Sequence, residues 1–254
     1  MTRTRLLMGC IALCLLLSFL LASAPAHLIA RALAGTPVVA DGLAGTVWQG
    51  RASRVRVATN AGVLHLGVVT WSLRPLSLFS LSPTVRFSAR WGTQLVAGEA
   101  TVRGAREVLL TGVDARFDAS LLRHVAPVAL TGTLGAQIDT LHLRDAVPLD
   151  AAARFTWQQA GWDSPQGLLP LGSYAADVRG AAPAALTGSI VTLAGPLRAE
   201  GELQMQQRDY SIAILLTHDG AWDPLLQEAL ALLARPVAEG YDLRLAGSLP
   251  GPDR

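Results

Sequence analysis

The chain has 254 residues, 51 % of them hydrophobic, with 21 basic and 19 acidic residues and a net charge of +2. Arg3 and Arg5 precede an apolar run and account for that +2, so the remainder is neutral and lacks the basic excess of a nucleic-acid binder. Both cysteines, Cys10 and Cys14, lie inside the run, which excludes a disulfide, thiol chemistry or a cysteine-ligated zinc site in the rest of the chain.

Residues 6–24 hold no charged side chain, and Ser18 and Ser23 are their only hydroxyls. As a helix rising ~1.5 Å per residue they span about 28 Å, close to the roughly 30 Å of a bilayer's hydrocarbon core. Arg3 and Arg5 would stay on the cytoplasmic side. The expected layout is a cytoplasmic tail at 1–5, a transmembrane anchor at 6–24, a membrane-exit linker at 25–36 and a periplasmic β-rich domain at 37–254. The alternative is a cleaved signal peptide at Ala22-Ser23-Ala24; Pro25 at the cleavage point and the length of the run favour the anchor. In the linker, His27 to Leu33 can extend the helix until Gly35 and Pro37 end it.

From there the dominant pattern is alternation. Val69, Trp71 and Leu73 share a face, as do Val85, Phe87, Ala89 and Trp91, then Val113, Ala115 and Phe117. Phe155 with Trp157, Tyr174 with Ala176 and Val178, and Tyr210 with Ile212, Ile214 and Leu216 continue it. Period two among scattered Gly, Pro, Asp and Thr predicts ten or more short antiparallel strands. Two helical pieces interrupt, a short one at 120–126 and a clearer one opened by the N-cap Asp223 and Pro224. The apolar stripe of the second runs from Leu225 to Leu233, before Arg235-Pro236, and a strand with Tyr241, Leu243 and Leu245 follows. The fold class is therefore mainly β: a single N-terminal transmembrane helix, then a curved antiparallel sheet or β-sandwich-like domain with a C-terminal amphipathic helix.

A pattern Leu-[Thr/Ala]-Gly-[Thr/Ser]-aliphatic occurs four times, centred on Gly45, Gly132, Gly188 and Gly247. Trp71 follows Gly45 by 26 residues and Trp157 follows Gly132 by 25, which points to an internal duplication, about 43–126 and 127–180, plus a C-terminal unit. Chance recurrence of common residues is the alternative.

No chemistry-bearing constellation stands out. His27, His65, His124, His142 and His218 show no metal-binding spacing, and no serine elbow, phosphate loop or dinucleotide fingerprint occurs. Glu200 with Glu202, and Asp114 with Asp118, are paired as on the solvated side of a half-buried strand, and an acid/base couple is the sharper alternative. No catalytic, cofactor or metal residue is assigned, and no cofactor is implied. The candidates for partner docking are Trp48, in a glycine-flanked turn, and Arg54 and Arg56, which share a strand face.

Gly45-Thr46-Val47-Trp48-Gln49-Gly50, the run VVTWSLRPLSLFSL at 68–81 and the closing GYDLRLAGSL at 240–249 resemble the type II secretion system protein N family. The resemblance extends along nearly the whole chain. It implies a single-pass inner-membrane protein of Gram-negative bacteria with a periplasmic domain and no known active site. It further implies an accessory, adaptor-like role in the apparatus that exports folded proteins, in contact with the outer-membrane secretin and the inner-membrane platform proteins L and M. The repeated short strands behind one anchor also resemble AsmA-like β-groove proteins. That resemblance implies lipid binding or transfer, and the discriminating feature is whether the apolar sheet face is closed or open. An enzyme is the least supported class.

Overall fold

The computed structural model describes residues 23–59, 62–104, 106–124, 129–183 and 185–249. The anchor expected at 6–24 lies, apart from Ser23 and Ala24, outside the described residues. Among the described residues no helix is long and apolar enough to cross a membrane.

The alternation becomes one 14-stranded sheet. Its first six strands are β1 (Val38–Gly45), β2 (Gln49–Thr59), β3 (Gly62–Leu73), β4 (Thr84–Trp91), β5 (Gln94–Arg103) and β6 (Glu107–Asp118). There follow β7 (Leu130–Arg144), β8 (Val147–Ser164), β9 (Gly167–Ala181), β10 (Leu186–Ala194), β11 (Leu197–Gln206) and β12 (Asp209–His218). The last two are β13 (Arg235–Val237) and β14 (Gly240–Ser248). Spatial order follows sequence order to β12, after which β14 intervenes before β13, and every pairing is antiparallel. The connections are mostly tight turns, which is why neighbours in sequence pair in space. The sheet is open, with β1 and β13 at its ends.

The sandwich alternative is not what forms. Extensive contacts run between sheet neighbours, and among the described residues no second sheet packs on the first. Curvature is present: the Arg208 guanidinium, in the β11–β12 turn, donates to the Asp145 carbonyl in the β7–β8 turn. At ~4.8 Å per strand a flat sheet would hold those turns about 19 Å apart, beyond the reach of one arginine side chain. Register shifts in β2–β3, β5–β6, β7–β8 and β8–β9 supply bends.

The register puts the apolar sets on one face. Trp71 lies opposite Phe87, Phe117 opposite Leu134, Trp157 opposite Tyr174, and Ile214 opposite Leu243. On the other face cross-strand ion pairs recur: Arg86 with Glu99, Arg144 with Glu107 and Arg154 with Asp177. Each pair is directly opposed in register, the geometry in which opposite charges support a sheet. The Arg154 guanidinium, hydrogen-bonded to Asp177, holds that carboxyl below its ordinary range, and Arg144 does the same for Glu107. These groups are solvated, so each pair adds little stability.

The helices are short. α1 (His27–Ala32) is cut off from the apolar run by residues 23–26, which are not helical, so it does not extend an anchor helix. The piece expected at 120–126 is a 3-10 turn over Ala119–His124. α2 (Pro224–Ala231) begins as predicted, with the Asp223 carboxylate accepting from the N–H groups of Leu225 and Leu226. It ends earlier than the leucine stripe, and Leu232 and Leu233 project into solvent beyond it. Its Leu226 and Leu230 pack where Leu171, Tyr174, Leu197, Ala199 and Leu216 form the main core cluster. Trp222 and Tyr241 meet edge to face at 5.1 Å beside it. α2 thus seals one corner of the apolar face, and no large described side chain is completely buried.

Two outcomes check this packing. Leu226→Ala should lower unfolding stability by about 2–3 kcal/mol, read by urea titration of the full chain, because the corner has no second layer to collapse inward. The Tyr174 hydroxyl is buried and donates to the Leu197 carbonyl, and burial pushes its pKa up to about 12. The unfolded chain ionises near the ordinary value of 10.0, so this contribution is complete below that pH and is lost as pH rises through about 12. In an absorbance titration at the tyrosinate band, one of the three tyrosines should resist ionisation until then, and Tyr174→Phe should remove that late step.

Candidate functional site

Three segments meet at the end of the sheet where β1 and β3 finish. The first is the chain leaving the N-terminal apolar run. Pro25 bridges Thr46, Ala26 N–H donates to Gly45 O at 3.0 Å and Val47 N–H donates to Ala24 O at 2.9 Å. Ala26 is buried by this stitching.

The second is the turn from Gly45 to Gly50. Gly45 has φ +91°, and a Cβ there would press on the Gln49 carbonyl, so glycine is required. Thr46 closes the turn, its N–H donating to Gln49 O at 2.8 Å while its hydroxyl accepts from Gln49 N–H at 3.1 Å. The Trp71 indole N–H donates to Val47 O at 3.1 Å, and its ring lies where a Gly50 side chain would stand. Gly45, Thr46, Gly50 and Trp71 are therefore one device.

The third is the connection 74–83. Leu73 N–H donates to Trp48 O at 2.7 Å, which sets this connection directly beside the turn. Arg74 N–H donates to Thr84 O, and Pro75–Leu78 forms a 3-10 turn. Ser77 Oγ donates to Arg74 O and accepts from Thr84 N–H, Ser80 Oγ donates to Ser77 O, and Ser82 N–H donates to Ser77 O. The loop is braced by its own serines while its large side chains point out: Leu76 is 80 % exposed, Phe79 88 % and Leu81 84 %. Full burial of each against an apolar partner is worth about 1.5–3 kcal/mol. At its base Arg74 and Arg86 both pair with Glu99, at 2.8 and 2.6 Å, leaving one positive charge in excess.

The residues singled out from sequence do not come together. Trp48 sits in the turn but is half-buried, and the most exposed described tryptophan is Trp91, stacked on His65 at 5.8 Å. Arg54 and Arg56 lie six and eight residues further along β2, roughly 20–26 Å away at ~3.3 Å per residue. Arg56 pairs with Asp41 at 3.0 Å, and Arg54 is exposed opposite Asp41. The signal in the sequence for this apolar loop is the pair Pro75 and Pro83 bracketing three serines.

Elsewhere Glu200 and Glu202 lie exposed on the wet face. His142 approaches Glu107 at 3.7 Å and His218 packs on Trp222 at 5.3 Å. No group of three or more His, Cys, Asp or Glu side chains among the described residues is placed to hold a metal ion. A hollow of about 600 Å³ is an open furrow on the wet face, lined by Thr70, Ser72, Arg86, Glu99 and Asp114 among others.

An open single-layer sheet with a braced apolar loop and solvated ion pairs carries its distinctive features on its surface. The sequence profile described as "Type II secretion system (T2SS), protein N" matches residues 36–244, and the chain belongs to that family. It is 26 % identical over 257 residues to the Type II secretion system protein N of Aeromonas hydrophila, covering 97 % of this chain and 100 % of the relative. It is also 26 % identical over 221 residues to that of Vibrio cholerae serotype O1, covering 82 % of this chain and 84 % of the relative. No solved structure gives a significant match.

The Gly50–Trp71 device has a direct test. Gly50→Ala forces the Trp71 ring off its seat and should cost about 1–3 kcal/mol. Trp71→Phe removes only the indole donor and should cost about 1 kcal/mol. Equilibrium unfolding followed by tryptophan fluorescence checks both, and Gly50→Ala should cost less in the Trp71→Ala background, where only the close approach to the Ala44 carbonyl is left.

Proposed function

We propose that the protein is an accessory structural adaptor of the type II secretion apparatus, anchored in the inner membrane by residues 6–24 and linking the inner-membrane platform to the outer-membrane secretin. The reading rests on family membership, with platform proteins L and M as the partners on the membrane side. The observation that carries the adaptor role is the open sheet. Among the described residues β1 and β13 end it without strand partners on their outer sides, and an unpaired edge is a template for strand addition by another chain. Trp48, Arg54 and Arg56 all border the β1 end.

Loss of this gene should leave folded substrates in the periplasm with their entry into it unchanged. A gentle-detergent pull-down of the full-length protein should retain secretin and platform proteins above a control bait carrying the same anchor. Normal export in the deletion strain overturns the reading.

A second reading, AsmA-like lipid binding or transfer, is favoured by one observation: the apolar face is uncovered over most of its width, α2 sealing only a corner. Acyl chains would lie along Trp71, Phe87, Phe117 and Trp157. Phospholipid surviving washes in stoichiometric amount, without secretion partners, selects this reading over the adaptor.

A further inference from the structure

We propose that the loop 74–83 is a second membrane contact, inserting Leu76, Phe79 and Leu81 into the headgroup and acyl boundary of the bilayer that holds residues 6–24. This goes beyond the adaptor role and depends on the anchor reading only for where the bilayer lies.

Four observations carry it. The first is position. The chain emerging from the apolar run is hydrogen-bonded at 24–26 to the β1–β2 turn, and Leu73 is bonded to that same turn immediately before the loop begins. A bilayer that ends near residue 24 therefore has this end of β3 at its surface. The second is composition. Three large apolar side chains, each at least 80 % exposed, stand on one short loop, where a protein in contact only with water gains nothing from them.

The third is backbone chemistry. An apolar medium tolerates a loop only if its polar groups are satisfied internally. Here Ser77 serves Arg74 and Thr84 at once, Ser80 serves Ser77, and the N–H groups of Phe79, Leu81 and Ser82 donate to Leu76, Leu78 and Ser77. Leu81 holds φ +53°, an uncommon conformation for a leucine, and it turns the chain so that Leu81 stays outside. The fourth is contrast along the same sheet edge. The later turns there present Gly104 and Arg106, Asp145 and Ala146, Ala182 and Pro183, and Gln207 and Arg208, with no large apolar side chain among them. The uncompensated charge of Arg74 and Arg86 over Glu99 at the loop's base suits the anionic headgroups of a phosphatidylethanolamine and phosphatidylglycerol bilayer.

The test uses the full chain reconstituted into such vesicles, with Cys10→Ser and Cys14→Ser removing the native thiols. An environment-sensitive dye is attached at Phe79→Cys or, as a control on the wet face, at Ser189→Cys. Emission from position 79 should be blue-shifted and quenched by acyl-chain nitroxide lipids several-fold more than from position 189. In a chain that also carries Leu76→Asp and Leu81→Asp, the quenching at 79 should fall to the control level. Equal quenching at both positions overturns the proposal. So does a dye at 79 that is shielded only when other secretion components are added, which would make the loop a protein-docking element. Alkaline extraction reports on the anchor separately. A chain stripped from native membranes whose position 79 is still quenched on vesicles refutes the anchor and supports the loop. A chain that resists extraction but is unquenched at 79 refutes the loop alone.

Discussion

Every strand of this protein finds its partners in its own plane. A single-layer sheet satisfies its backbone hydrogen bonds laterally but has no facing layer into which its apolar side can sink. It compensates within the layer. Several bulky side chains stand opposite small residues on the neighbouring strand, and Val113 fills the space left at Gly98. Phe87 is opposite Gly98, Phe155 opposite Ala176, and Tyr210 opposite Gly247, where the ring fills the space of the missing side chain. Trp71 over Gly50 is the same arrangement made into a structural joint. The many alanines and glycines of the sequence are thus packing residues as much as turn formers.

The same constraint decides what could be read from the sequence. Period-two alternation reports that one face is apolar, so strands at Phe155 and Trp157 or Tyr210 to Leu216 were legible. It does not report what lies over that face, so one curved sheet and a sandwich remained equivalent. Short connections made a meander the natural order, yet the exchange of β14 and β13 depends on α2 carrying the chain past the sheet end. The recurring Gly motif was legible as a repeat but not as geometry. Gly45 and Gly132 have positive φ, and in both cases a later tryptophan donates to a nearby carbonyl: Trp71 to Val47 and Trp157 to Thr131. Gly188 and Gly247 carry no such φ, and each lies against a side chain of the next strand.

Trp48 and the loop at 74–83 show the limits most clearly. Tryptophan in a glycine-flanked turn reads as an exposed anchor, but the carbonyl of Trp48 is engaged by Leu73 and its side chain is half-buried. In the loop, Pro75 opens a 3-10 turn and the serines are spent on backbone groups instead of a wet sheet face. At Trp48 local hydrogen bonding overrides a pattern that would have been informative in a longer segment.

Twist explains why the apolar display stops where it does. Neighbouring strands rotate by roughly 20–25°, so the turn after β5 already points some 40–50° away from the loop after β3, and the β7–β8 turn twice as far. A flat surface touching the ends of β1 and β3 cannot also touch the ends of β7 or β11. The turns rotated away end in Arg106, Asp145 and Arg208, side chains suited to water and to bonds with one another. The apolar loop and the stitched residues 24–26 lie together at one part of this edge. The first strands stand at one end of the sheet, and β13, with the exposed Leu232 and Leu233 just before it in the chain, stands at the other.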